Sequence, residues 1–282
     1  MGLYISLINA YDALAESGAT VCPIAHTYMT VHIAVLLNKK GEFLCAKTPD
    51  IKGELVRVPC TDESGRRTSG DCPHLLHDNL CYVAPFGAKP GRHEAYISQL
   101  EEYTKAKPED MYAAAIYNYA KNGDILHDLK DIISNLDLEM PLDKANVAFA
   151  VYGLDNDGTD LYWTEHYLST LHKNGICSVT GEPDYIPSAY PACIISPSGK
   201  ERFFLKDCGV GYVASQKIIH AIQYWTYGAK NEARVKTESY IQDYMRGEET
   251  EDELKQWIDK RYPGKSVSYT HLRAHETRHD IV

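Results

Sequence analysis

No stretch of the 282 residues approaches the roughly 20 consecutive apolar residues of a membrane span, and the first residues lack a basic start, apolar run and cleavage site. A cytoplasmic protein with no membrane partner is therefore expected. Eight cysteines stand at 22, 45, 60, 72, 81, 177, 193 and 208, yet no two form a C-x-x-C pair. That spacing excludes a zinc ribbon and a thioredoxin-like site. Without a secretory signal the thiols are expected to be reduced, many of them in the core. A Walker A loop, an H-E-x-x-H helix, a G-x-S-x-G elbow, internal repeats and low-complexity tracts are missing too. No cofactor and no metal are expected.

The chain also lacks positive charge overall, with a net charge of −10. The deficit is local: residues 108 to 190 hold 14 acidic and 4 basic side chains, a balance of −10, so the remainder sums to zero. An acidic segment repels phosphate, so any nucleic-acid contact is expected from residues 1–107 or 191–265. The same balance predicts weak binding by the isolated chain.

Apolar spacing predicts the elements. Leu3, Leu7, Ile8, Tyr11 and Leu14 recur at helical intervals, with Gly18 placed to stop the helix. Strict alternation over Val31, Ile33, Val35 and Leu37, the turn Asn38 to Gly41 and the run Phe43 to Cys45 read as a β-hairpin, with a third strand at Leu55 to Val58. Thr61 to Gly70 is polar and reads as an exposed loop. Helices are predicted over Arg92–Ala106, from Pro108 to about Tyr119, over Ile125–Leu136, over 160–173 with Gly175 past its end, over Val213–Tyr227, and from Thr250. Glu248 to Glu253 reads as a solvated helix start. A strand at Val147–Tyr152 is expected to turn at Asp155 to Gly158. The fold class is α+β: a small antiparallel, hairpin-rich N-terminal sheet with surrounding helices, then a mostly helical C-terminal part. The expected division is 1–107, 108–265 and a tail from 266 to 282.

Chemistry concentrates around residues 66–83, RRTSGDCPHLLHDNLCYV. Arg66, Arg67, Thr68, Ser69 and Gly70 place two cations, two hydroxyls and a glycine ahead of an apolar segment, a layout suited to phosphate. Asp78 and Asn79 read as residues that hydrogen-bond the neighbouring loop backbone. Asp155, Asp157 and Asp160 do not match an EF-hand, because glycine falls at position 4 instead of 6. His74 and His77 lack a matching second pair for zinc. Cys177 precedes Thr180-Gly181, which reads as a strand end turning.

The same 66–83 string resembles the "RTSG, then P, then L-x-DN-x-x-YV" signature of the large subunit of the type I-C CRISPR Cascade surveillance complex. Leu7, Tyr11, Leu14, Pro23, Val31 to Leu37 and the turn Asn38 to Gly41 follow the family's opening order. Phe149 to Gly153 with Trp163 and Tyr167, Cys177 to Glu182, and Gly211 to Lys217 are similar to three further segments. The resemblance covers most of residues 1 to 227 and thins between Glu182 and Val210.

It implies a non-catalytic subunit of a guide-RNA complex that helps recognise the protospacer-adjacent motif in invading double-stranded DNA. The implied partners are the other Cascade subunits, CRISPR guide RNA, target DNA and a helicase-nuclease effector. Arg66, Arg67, Thr68 and Ser69 would be phosphate or groove donors, Gly70 would allow close backbone approach, and Asn79 would be a support or a polar reader. The alternative is a cysteine-dependent hydrolase using Cys177 or Cys81 with a distant histidine. An enzyme needs thiol and imidazole to converge, whereas the first reading needs the arginines on a basic rim. Ser268 to Thr277 resembles translated sequencing-adapter read-through, so the tail from about 266 is expected to be non-native and the chain truncated.

Overall fold

The computed structural model describes residues 2–49, 53–67, 70–87, 89, 91–136, 140–188 and 209–226. The predicted helix from Thr250, the charge run from Glu248 and the tail lie outside the described residues. The elements are α1 (Leu3–Glu16), β1 (His26–Thr30), β2 (Ile33–Leu37), β3 (Phe43–Lys47), β4 (Leu55–Pro59), α2 (Asp62–Gly65), β5 (Asp78–Asn79) and α3 (Leu80–Val83). There follow α4 (Gly91–Ala106), α5 (Met111–Asn122), α6 (Ile125–Asp128), α7 (Lys130–Asn135), β6 (Asn146–Val151), α8 (Asp157–Thr170), β7 (Gly175–Ile176) and β8 (Pro183–Asp184). A last helix, α9, covers 212–226. The fold is α+β.

The contacts divide these residues into two units. The first draws on the described residues within 2–28, 57–70 and 160–226, and the second on those within 29–56 and 71–159. β1 and β4 pair as a two-stranded sheet, and the division runs across both strands.

The second unit is built on a four-stranded sheet of order β3-β2-β6-β5. The predicted β2–β3 hairpin is present, pairing Val35 with Ala46 and Leu36 with Cys45. Its turn is shaped by Asn38, whose Oδ1 accepts the N–H groups of Lys40 and Glu42, and by Gly41 at φ +81. A Cβ at Gly41 would overlap the Ala115 carbonyl oxygen, so glycine is required for approach as well as backbone conformation.

β6 joins that hairpin in parallel, from Ile33 opposite Val147 to Leu37 opposite Val151. The N-terminal hairpin is antiparallel as expected from sequence, and β6 gives it one parallel neighbour from later in the chain. Closing a loop of about 110 residues costs about 4 kcal/mol. The buried side chains of Val147, Phe149 and Val151 return roughly 1.5–3 kcal/mol each, which explains why the pairing forms. On its other edge β6 pairs with the two-residue β5, and the Phe149 N–H donates to His77 Nδ1 at 3.1 Å. Here an imidazole continues where the strand is too short, which assigns His77 a structural task.

α4 and α5 pack on each other, and α5 also packs on β2 and β6. Tyr112 donates to the Phe149 carbonyl, and the Tyr119 ring meets Phe149 edge-on at 6.0 Å. α5 begins at Met111, later than predicted, because Asp110 caps it. The predicted single helix over 125–136 is two, α6 and α7, broken at buried Leu129. The turn predicted at Asp155 to Gly158 is instead the approach to α8, which starts at Asp157. α8 ends at Thr170, where the Ser169 and Thr170 hydroxyls bond the carbonyls of His166 and Tyr167, and Gly175 opens β7.

In the first unit α1 lays Leu7 and Tyr11, four residues apart, in one cluster with Ala214, Ile218 and Ala221 along α9 and with Val210 just ahead of it. Lys217 pairs with Asp12 at 2.6 Å across the same seam. Trp163 and Tyr167 on α8 stack at 5.5 Å, and the indole N–H is directed at the Ala25 and Cys60 carbonyls. Beneath them Asp160, 7% exposed, receives His26 Nε2 at 3.2 Å and the Arg57 guanidinium at 2.5 Å.

His220 on α9 is buried near Tyr11, and among the described residues its Nδ1 has no hydrogen-bond partner. Burial drives its pKa from 6.5 down to about 4, against a hydrogen bond to the Cys22 carbonyl. Above pH 6.5 the ring is neutral in both folded and unfolded chains. Between 6.5 and 4 the unfolded chain takes a proton that the fold refuses, so stability falls as pH falls, by on the order of 3 kcal/mol at the lower end. A urea series from pH 7.5 to 4.5 should show that loss, and His220→Phe should flatten it. An unchanged slope in the variant would assign the acid sensitivity elsewhere.

Candidate nucleic-acid interface

The segment predicted as an open loop is ordered over its first half by its own side chains. The Thr61 hydroxyl accepts the Ser64 N–H at 3.0 Å, and the Ser64 hydroxyl accepts the Thr61 N–H at 2.9 Å. This reciprocal cap holds the single turn α2, after which Arg66 is the C-cap residue. The expectation of an exposed loop from Thr61 is corrected to that extent. The competing order comes from short-range pairing of hydroxyls with otherwise orphaned amides, which a reading based on polarity misses.

Arg66 turns back along α2. Its Nε and Nη2 donate to Asp62 Oδ1 and Oδ2 at 3.3 and 3.2 Å, and Nη2 also donates to the Ser188 hydroxyl at 3.0 Å. The hydrogen bond to Asp62 raises the guanidinium pKa further. About 24% of the Arg66 side chain remains exposed, against 3% for that of Asp62. Among the described residues, Nη1 has no hydrogen-bond partner.

Asp62 is itself held. Its N–H donates to the Tyr167 hydroxyl oxygen at 2.7 Å, and Tyr185 donates to its Oδ2 at 3.2 Å. Tyr185 and Tyr167 both stand edge-on to the fully buried Tyr212, at 6.3 and 5.7 Å. Burial pushes all three phenols up, so they stay protonated as neutral supports. Cys60, buried at the root of the turn, is pushed up to about 12 by burial and by Asp62. Nothing in the sequence signalled that Tyr167, Tyr185 and Ser188 support this stretch, whereas the i,i+4 placement of Asp62 and Arg66 was readable.

Arg67 is half-buried, its N–H directed at the Ser64 carbonyl at 3.3 Å. Gly70 adopts φ +108, a conformation that favours glycine. Thr68 and Ser69 lie outside the described residues. Asp62 and Glu63 offset the charges of Arg66 and Arg67, so this stretch supplies directed donors with little net field.

Asn79 belongs to the second unit. Its amide donates to the Asn146 side chain and, at 3.4 Å, to the Lys144 carbonyl. Asn146 in turn donates to the Thr30 carbonyl at 2.6 Å. Asp78, fully buried, accepts the His74 and Asn79 N–H groups at 2.7 and 2.6 Å, the backbone bonding expected for the pair.

The two thiols of the hydrolase alternative sit differently. Cys177 closes the β7–β8 turn: its N–H donates to the Glu182 carbonyl, its carbonyl accepts the Gly181 N–H, and Gly181 has φ +78. Burial raises its pKa, but hydrogen bonds from the Thr180 hydroxyl and the N–H groups of Gly211, Thr180 and Val179 outweigh this, leaving the thiol below its ordinary value. Its neighbours are apolar side chains of α1 and α9. Cys81 receives Arg92 Nη1 at 3.2 Å, and burial raises its thiol. Among the described residues, the hydrogen-bond partners of the two thiols are amides, a hydroxyl and a guanidinium.

Among the described residues, no group of three or more His, Cys, Asp or Glu side chains could hold a metal ion, and no helix is long and apolar enough to cross a membrane. A family model described as CRISPR-associated protein (Cas_Csd1) matches residues 7–199. No curated protein matches the chain.

Proposed function

We infer, from the fact that this chain belongs to the Cas_Csd1 family of CRISPR-associated proteins, that it is a non-catalytic subunit of a type I-C guide-RNA surveillance complex and takes part in reading the motif beside the target in duplex DNA. The observation that carries this reading is the buttressed Arg66 followed by Arg67 and Gly70, inside the matched span. In such complexes base pairing with the guide reads the long sequence, and protein reads the short motif and the shape of the duplex. Arg67 and the hydroxyls of Thr68 and Ser69 are assigned to phosphate, Gly70 to close approach, and Asn79 to support. The other Cas subunits supply the positive field that a chain of net charge −10 lacks. A helicase-nuclease then acts on the opened DNA.

The test is duplex binding by the complex assembled with guide and neighbouring subunits, over a salt series and a library of flanking motifs. Arg67→Ala should weaken binding several-fold on every motif and reduce the salt slope by about 1. Unchanged affinity, slope and motif preference in Arg66→Ala/Arg67→Ala would remove the site.

A further inference from the structure

We propose that Arg66 reads a guanine in the major groove through its Nη1/Nη2 edge, and that Asp62 is the positioning residue that sets the plane of the guanidinium. This rests on the DNA-recognition reading above and deepens it, because that reading left open which side chain meets a base.

Three observations on one residue carry the assignment. First, Asp62 takes the Nε/Nη2 edge of Arg66 through both carboxylate oxygens, which fixes the plane of the fork. The carboxylate is itself fixed by Tyr185, and its backbone by Tyr167. Second, a carboxylate within 3.3 Å cancels most of the long-range attraction between Arg66 and a phosphate. It leaves the directed N–H donors intact. A phosphate clamp gains from the opposite arrangement, a mobile and uncompensated cation, whereas a pair of neutral acceptors needs geometry more than charge. Third, the remaining edge is open or weakly held. Nη1 has no partner among the described residues, and the outward hydrogen of Nη2 meets only the Ser188 hydroxyl, on an exposed residue. That hydroxyl occupies the place of a second acceptor and can rotate away when a stronger one arrives.

Among base edges, guanine alone presents two acceptors, O6 and N7, side by side in the major groove, and arginine meets them with two parallel N–H donors. The motif read by this chain therefore contains a guanine on one strand. Arg67, the next residue along the chain, keeps the phosphate role assigned above.

The experiment uses the same assembled complex and flanking-motif library, with Arg66→Lys and Asp62→Asn, and with duplexes carrying 7-deazaguanine in place of each guanine of the preferred motif. Lysine keeps the charge but not the fork. Arg66→Lys should lose roughly tenfold or more of the guanine preference at one position, with the salt slope unchanged. The 7-deaza substitution at that position should cost the unsubstituted protein the same preference and cost Arg66→Lys nothing further. Asp62→Asn should reduce discrimination there while retaining affinity for other motifs. Full guanine preference in Arg66→Lys, or a uniform loss with a shallower salt slope, would overturn the assignment and make Arg66 a phosphate contact, with the broader reading intact. If neither Arg66→Lys nor Arg67→Ala alters DNA binding, the broader reading fails instead. Misfolding of Asp62→Asn would not obscure the result, since the lysine variant and the modified base test the same contact.

Discussion

Asp160→Ala should be the most damaging single substitution in the first unit, lowering its stability by about 3–5 kcal/mol, the usual consequence of breaking a buried ion pair by removing one partner. The carboxylate is the acceptor for His26 Nε2 and for the Arg57 guanidinium. The His26 side chain is fully buried and that of Arg57 only 22% exposed, so water cannot replace what is lost. Burial raises the Asp160 pKa, but the His26 hydrogen bond and the Arg57 charge more than offset it, and the carboxyl lies below its ordinary range. Its contribution is therefore present above the unfolded carboxyl value and disappears as pH falls through the folded one. Urea unfolding followed by Trp163 fluorescence checks this, because the indole is buried in the same unit and bonded to the Ala25 and Cys60 carbonyls. A loss under 1 kcal/mol would mean that His26 and Arg57 find other partners.

In the second unit the corresponding residue is Asp110, 4% exposed. Its Oδ1 accepts the Ala113 N–H and the Thr159 hydroxyl, both at 3.0 Å, and its Oδ2 accepts the Tyr103 hydroxyl at 2.9 Å. One carboxylate thus starts α5, joins it to the end of α4 and anchors the start of α8. Asp110→Ala leaves three donors unpaired at roughly 1–3 kcal/mol each. Because the three share one group and relax together, a total of about 3–5 kcal/mol is expected rather than their sum. Asp110→Ser keeps a capping oxygen for Ala113 but cannot reach Tyr103, and should recover about 1 kcal/mol of the loss. Hydrogen exchange along α5 separates this from a general loosening: its first-turn amides should lose protection before those of β2. Equal loss across the unit would show that Asp110 acts only through global stability.

What the sequence made legible follows from interaction range. α1 and α9 carry apolar residues at helical spacing, and β2 alternates and is joined to β3 by a short turn, so the information lies within a few neighbouring residues. β1 was missed because His26 to Thr30 mixes polar and apolar types without alternation. The placement of β6 beside β2 could not be read because parallel strands share no turn, and nothing near either strand encodes the register of Ile33 on Val147. The candidate site divides in the same way. Arg66, Arg67 and Gly70 were readable as chemistry in one short stretch. Tyr167, Tyr185 and Ser188, which hold that stretch from more than 100 residues away, were not.

The interleaving of the two units sets an order of events during synthesis. The second unit can close its sheet once β6 has left the ribosome. In the first, the apolar stripe of α1 waits for α9, about 200 residues later, or roughly 10–40 s at ordinary elongation rates. Throughout that interval Leu7 and Tyr11 have no cover from α9. The nascent chain is thus a natural client for a chaperone that shields short amphipathic helices, and faster translation shortens the period in which it can associate with its neighbours on a polysome.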